Sequence, residues 1–291
     1  MKELHHLSLA TAPTQVFNAQ GTRVSTATSF FYEAKDSRLF LITNWHVVTG
    51  RSPRNPSCSE TGAVPHVLKI KLHNRQDKVG GRRSIVTSDI SEFSIPINSE
   101  DGDAPQWLEH PKHKLKVDVV GIEIEKRTQF REAYAINMVN KWGEYHEGYE
   151  PEVMDDVFVI GYPWGLSSTA GRGGGLPVYK RGCIASDPIV DFRRLPCVLI
   201  DCRTTKAMSG SPVIASRTGI YMPDGQMSGD TVIGTVTKLL GVYAGRLTEG
   251  EAAEGYEENV SEIGIVWKAS VLEAITERGV QGTALRELAR Y

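Results

Sequence analysis

The chain has 291 residues, of which 40% are hydrophobic and 23% charged, and its formal net charge is −2. That is enough apolar material for a sizeable core, and it lacks the basic excess that a nucleic-acid surface or an anionic membrane asks of a partner, so neither is expected. No apolar run reaches the about 20 residues that cross a bilayer, and residues 1–13 lack the basic-then-apolar layout of a secretory leader, so the sequence reads as cytoplasmic.

Along the chain the apolar segments are short, rich in Val, Ile, Thr and aromatic residues, and separated by Gly, Pro, Asn or Asp. This is the punctuation of antiparallel strands. Strands are predicted over 25–33, 39–43, 67–72, 117–124, 157–160, 198–200, 232–236, 239–244 and 263–267. Many short strands with no long helices between them favour barrels or sandwiches over a parallel α/β sheet. Two stretches interrupt them: an acidic one containing proline, 98–113, and a polar, aromatic one, 140–156, which is the candidate linker between two lobes. The acidic stretch 249–262 reads as a solvated loop. Ser270-Val-Leu-Glu273 has the form of a capping box, and Val271, Leu272 and Ile275 follow at helical spacing, so a terminal helix is expected from Ser270.

Three positions along this frame carry candidate chemistry. His46 directly follows the apolar strand 39–43, in Leu41-Ile-Thr-Asn-Trp-His46-Val-Val; by itself, a histidine at a strand end is more often structural than catalytic. Asp118 interrupts the apolar run Leu115-Lys-Val-Asp118-Val-Val. A buried carboxylate without a partner costs several kcal/mol, so Asp118 needs a hydrogen-bond donor, and a histidine N–H would serve. Ser209 lies in Ala207-Met208-Ser209-Gly210-Ser211-Pro212-Val213, where small residues would let a substrate carbonyl approach the backbone. Ser-Gly-Ser-Pro is also ordinary turn composition.

Other features invite blander readings. The cysteines at 58, 183, 197 and 202 form no C-x-x-C pair and are read as buried free thiols. His5, His6, His110 and His113 show no metal-ligand spacing and are read as solvated surface residues, so no metal is expected. The string 226–230 repeats Met-Ser-Gly without the preceding apolar strand and reads as a surface turn. The glycine-rich stretch 170–175 lacks the helix and the Lys-Ser/Thr of a phosphate loop. Glu123 and Glu125 share a strand face, which is by default solvated.

Taken together, Thr43-Asn44-Trp45-His46-Val47-Val48, Val117-Asp118-Val119-Val120 and Met208-Ser209-Gly210-Ser211-Pro212 resemble the three catalytic blocks of trypsin-like serine peptidases, in that family's order of His, Asp and Ser. They are most similar to the protease domain of bacterial high-temperature-requirement proteases and their stand-alone relatives, without a PDZ module. The stretch 159–165, Asp201, the stretch 241–244 and the strand 263–266 followed by a helix match as well. The resemblance implies an all-β fold of two six-stranded antiparallel β-barrels with a C-terminal helix. Residues 1–145 would form the lobe carrying His46 and Asp118, residues 146–269 the lobe carrying Ser209, and residues 270–291 a helical segment.

For function, the resemblance implies a serine endopeptidase that works through an acyl-enzyme at Ser209, with His46 as the base and Asp118 orienting it. The backbone N–H groups of Ala207 and Ser209 would form the oxyanion hole, and Arg203, Lys206, Tyr243 and Ala244 would contact substrate. It implies no cofactor, a protein or peptide substrate, an activating protein partner, and an intracellular stress or defence role.

The departures are informative. The family has glycine where this chain has Ala207, and alanine is poor at positive φ, so the loop is expected to rest in an inactive arrangement until substrate or a partner reorders it. Met208 replaces the aspartate that pairs with a newly cut N-terminus in the digestive enzymes. Arg203 stands where an aspartate selects basic substrates. It would either point inward and attract an acidic residue or turn away and leave a neutral pocket beside Tyr243 and Ala244. Two rivals stay open: a pseudo-protease that keeps the cleft as a protein-binding module, and a hydrolase of small esters or amides.

Overall fold

The computed structural model describes residues 5–59, 62–73, 90–99, 104–124, 148–167, 175–223, 225–229, 231–247 and 262–288. Of the stretches singled out in the sequence, 140–147, 170–174, Glu125, Asp230 and 249–261 lie outside the described residues. In chain order the elements are α1 (Leu7–Ala10), β1 (Thr11–Asn18), β2 (Arg23–Glu33), β3 (Leu39–Thr43), α2 (Trp45–Thr49), β4 (Arg51–Ser52), β5 (Asn55–Ser59), β6 (Pro65–His73), β7 (Ile90–Pro96), β8 (Leu108–Glu109) and β9 (Val120–Ile124). They continue with β10 (Asp156–Gly161), β11 (Val178–Ile184), β12 (Cys197–Asp201), β13 (Pro212–Tyr221), β14 (Val232–Arg246), β15 (Ile263–Lys268), α3 (Ala269–Arg278), β16 (Val280–Gln281) and α4 (Leu285–Leu288).

The molecule is all-β with short helices and a C-terminal helix, as expected. The strands of the first half, with β16 added from the C-terminal end, form an antiparallel sheet of eight strands where six were expected, in the order β16-β8-β9-β3-β2-β1-β6-β7, which gathers Phe31, Leu41, Trp45, Leu68, Ile70 and Ile122 into one core. The second half is a closed six-stranded barrel, β10-β11-β12-β15-β14-β13, filled by Val159, Val198, Ile200, Val213, Met208 and Val266. A third apolar cluster, with Phe30, Phe40, Ile160, Ile214, Val242 and Trp267, joins the two and receives Val271, Leu272 and Ile275 from α3. The two lobes therefore share this third cluster.

Several expectations shift. The stretch 117–124 is a strand only from Val120 onward, because a 3₁₀ turn at Lys114–Lys116 precedes it, and this leaves Asp118 just outside the ladder. The predicted strands 232–236 and 239–244 are one strand, β14, with a register shift opposite Val213 and Ile214 that absorbs an extra residue. The helix α3 begins at Ala269, with Lys268 at the N-cap and no side-chain cap. Glu273 reaches toward Lys35 instead of closing a capping box. Strand β1 was not predicted because of Pro13 and its polar residues. Pro13 is tolerated there because its register partner Thr28 sends its own N–H away from β1, to the Ser209 carbonyl, so no ladder bond is asked of the proline nitrogen.

Two residue readings are corrected as well. All four thiols are free, but only Cys197 and Cys202 are buried; Cys58 lies exposed on the small β4–β5 ribbon and Cys183 is half-buried. His110 is not a surface residue: it is 9% exposed, and its Nδ1 accepts the N–H groups of Lys112 and His113. Glu123 is on the solvated face expected of it and pairs with Arg38 at 3.1 Å.

Candidate active site

His46 stands on α2, a single helical turn entered from the extended residue Asn44 and closed by Gly50, which takes the left-handed conformation at φ 65° and returns its N–H to the His46 carbonyl. The turn is pinned from beneath. Trp45 is fully buried and donates its indole N–H to Glu109 Oε1 at 3.0 Å, while Thr49 bonds back to the Trp45 carbonyl. His46 is thereby left at the surface of a rigid element, its side chain 31% exposed.

Asp118 meets it from the segment before β9. One carboxylate oxygen accepts the His46 backbone N–H at 2.9 Å and the other lies 2.7 Å from His46 Nδ1. This is the donor that the sequence demanded for a carboxylate in an apolar stretch, and it favours the tautomer in which Nδ1–H faces the carboxylate, which makes Nε2 the acceptor of the neutral ring. Asn44 donates to the Asp118 carbonyl at 2.6 Å and ties the backbones of the two segments together.

Ser209 comes from the other lobe, on the loop between β12 and β13. That loop is docked onto β2 through Thr28, whose N–H donates to the Ser209 carbonyl and whose hydroxyl donates to the Ala207 carbonyl, both at 2.9 Å. Gly210 is what allows this approach. Its φ is +85°, and a Cβ there would lie 2.1 Å from the Thr28 carbonyl oxygen. Ala207 adopts φ +71° in spite of its methyl group, so the loop takes the left-handed turn that its sequence disfavours. Neither the Ala207 nor the Ser209 N–H meets an acceptor among the described residues. The Ser209 hydroxyl donates to the Ala244 carbonyl at 3.2 Å.

His46, Asp118, Ser209 and Ala244 line one cleft of about 710 Å³ between the lobes. The other residues assigned to substrate lie elsewhere. Tyr243 is buried, with its hydroxyl against Thr204; burial pushes its pKa up to about 12, so it stays neutral. Arg203 turns out to solvent, 81% exposed, and pairs with Glu262. Lys206 is exposed and contributes only its carbonyl, which accepts the Trp164 N–H. Of the two arrangements open for Arg203, the structure has the outward one. What the sequence reading missed is Arg246, which lines the cleft two residues beyond Ala244 on β14; proximity along that strand was the available signal. Among the described residues no group of three or more His, Cys, Asp or Glu side chains could hold a metal ion.

No family model matches the chain, and no curated protein matches it. Among solved structures it is similar to the Rv3671c protease of M. tuberculosis. The active form is 15% identical, with a TM-score of 0.42, over 96% of this chain and 85% of that one. The inactive form of its serine-to-alanine mutant is 14% identical, with a TM-score of 0.41, over 94% and 87%. A likeness this distant carries no argument about chemistry; that rests on the residues themselves.

Proposed function

We propose that the chain is a serine endopeptidase of the trypsin-like kind, cutting a protein or peptide substrate through an acyl-enzyme at Ser209. The observation that carries this reading is the 2.7 Å contact between His46 Nδ1 and Asp118 Oδ2, in a cleft that His46 and Ser209 line from opposite lobes. In the proposed cycle Ser209 Oγ turns from the Ala244 carbonyl and attacks the substrate carbonyl carbon while His46 Nε2 takes its proton. The oxyanion is held by the Ala207 and Ser209 N–H groups, where loss of one donor would cost about 3–4 kcal/mol of transition-state stabilisation. His46 then returns the proton to the leaving amine. Water repeats the sequence in reverse to free the acid product and regenerate the Ser209 hydroxyl.

In this proposal 1–145 and 146–269 are the two catalytic lobes, and the site needs no metal or cofactor. An intracellular role belongs to the same proposal; no described helix is long and apolar enough to cross a membrane. The test is hydrolysis of a quenched fluorescent peptide library. Ser209→Ala and His46→Ala should each abolish turnover, because nucleophile and base act as a unit, with circular dichroism unchanged. Wild-type rates in a folded Ser209→Ala protein would refute the assignment. The second reading, a catalytically silent binding module, is favoured by the engagement of the Ser209 hydroxyl with Ala244; it predicts peptide binding without turnover in the wild type.

A further inference from the structure

The chain as a whole is slightly acidic, yet its cleft is not. Among the described residues Arg51, Arg54, Lys116, Arg193 and Arg246 line it, and the one carboxylate among them, Asp118, is already engaged by His46. Arg246 stands out among these cations. It is half-buried at the end of β14, in the same wall as Ala244, whose carbonyl receives the Ser209 hydroxyl. Its guanidinium donates to the Thr204 carbonyl, a neutral acceptor, and it has no carboxylate partner among the described residues. Arg51 is likewise bonded to a carbonyl, that of Pro56. By contrast Arg203, the arginine that the sequence suggested for the pocket, is neutralised by Glu262 out in solvent. A guanidinium that is partly desolvated, bonded to the Thr204 carbonyl and to the Tyr243 hydroxyl, and lining a cleft with no carboxylate among the described residues to match its charge is an incomplete site. A carboxylate completes it with charge-assisted, fork-shaped geometry.

We propose that Arg246 is a specificity-determining residue that selects an acidic side chain next to the bond cut at Ser209, and that the substrate is an acidic peptide segment drawn in by the other cleft cations. The inference rests on the endopeptidase reading for the bond cut, but not for the recognition. A nucleic acid strand is the poorer fit: Arg246 is held against Thr204 in the wall beside one serine, where a single side chain can end, and the overall charge of the chain is negative. Electrostatic focusing in a cleft whose described lining carries an excess of positive charge would also raise the association rate of an acidic segment and make it fall with salt.

Two arms test this. In the first, succinyl-Ala-Ala-Pro-Glu and succinyl-Ala-Ala-Pro-Gln p-nitroanilides are compared. The wild type should favour Glu by about ten- to a hundred-fold in kcat/KM, the range one charge-assisted hydrogen bond supplies. The Arg246→Gln protein should lose that preference to within about two-fold, Arg246→Lys should recover part of it, and Arg203→Gln should keep it, as expected from these charges. Thermal melts establish that each variant is folded. In the second arm the Ser209→Ala protein binds fluorescein-labelled peptides, identical but for Glu or Gln, read by fluorescence anisotropy. The Glu peptide should bind more tightly, with an advantage that shrinks between low and high salt and vanishes in Ser209→Ala/Arg246→Gln. A wild type that hydrolyses neither anilide, with the anisotropy preference intact, would sink the peptidase reading and leave the recognition standing. Equal treatment of Glu and Gln in the anisotropy arm, or displacement of the Glu peptide by a single-stranded oligonucleotide at lower concentration than by unlabelled Glu peptide, would overturn the proposal.

Discussion

Alanine at position 207 holds φ +71°, a conformation that costs an L-residue roughly 1–2 kcal/mol and glycine little. Because the loop already makes this turn, Ala207→Gly should stabilise the fold by about 0.5–1 kcal/mol, after the extra entropy of glycine in the unfolded chain is subtracted. Peptidase activity should stay within about two-fold of wild type. A differential-scanning melt alongside a peptide assay checks both, and a large rise in activity would show instead that the alanine holds the loop in an unproductive state. Gly210 is the opposite case. A Cβ there would lie 2.1 Å from the Thr28 carbonyl and 2.7 Å from Thr43 Oγ1, both part of the seam between the lobes. Gly210→Ala should therefore fail to fold or melt far below wild type, and a soluble variant with a normal melt would contradict the close approach. At Asp118 the asparagine variant keeps the shape but loses the anion that orients His46. Its kcat should fall by orders of magnitude, roughly 10⁴ in triads of this design, with the melting temperature much less affected.

Among elements, the last described segment does more than end the chain. After α3, β16 pairs with β8 in the first sheet, and Leu285 and Leu288 of α4 join the first core. The junction is Glu109, fully buried, whose carboxylate accepts Trp45 and Trp107 indole N–H groups at 3.0 and 3.3 Å and both the N–H and the hydroxyl of Thr283. Replacing it with leucine would orphan several buried donors, each at about 1–3 kcal/mol. Glu109→Leu should therefore destabilise the protein by about 3 kcal/mol or more, whereas Thr283→Val removes one donor and should cost about 1 kcal/mol; chemical denaturation measures both, and equal effects would mean that the carboxylate is not the hub. None of this was legible in the sequence. Glu109 sits in a stretch read as an acidic interruption, and two of its three partners, Trp45 and Thr283, are 64 and 174 residues away. The strands 39–43, 157–160 and 198–200 were legible because they are almost wholly apolar runs, buried or half-buried along their length. β11 was missed because Lys180, Arg181 and Gly182 interrupt its pattern, and β13 because its second half is exposed. That Asp118 needs a donor could be inferred from chemistry, since it is a carboxylate in an apolar stretch, and the resemblance to the trypsin-like blocks implied His46 as that donor. The outward turn of Arg203 could not, because it depends on Glu262 arriving from β15's flank.

Taken as a whole, the molecule is two β-lobes fused by a shared apolar cluster, with a cationic cleft along the seam. Its stability should respond to mild acid in a defined direction. Burial holds the His73, His110 and His113 imidazoles below their ordinary value, so they stay neutral in the folded protein at pH values where the unfolded chain, with pKa near 6.5, has begun to bind protons. Stability should therefore be fully present above about pH 7 and decline as pH falls through the unfolded value, flattening only below the depressed folded values. Urea denaturation from pH 7.5 to 5 would show it, and a rise in stability over that window would contradict the burial of these rings. The cleft depends on both lobes, because His46 and Asp118 belong to one and Ser209 to the other, and only the fused fold brings them together. The most direct test of the central claim is the intact mass of the folded protein after incubation with a fluorophosphonate. The account predicts a single adduct that maps to Ser209, forms in the wild type, and is lost in both Ser209→Ala and His46→Ala. An unmodified wild type, or an adduct that persists without Ser209, would contradict it.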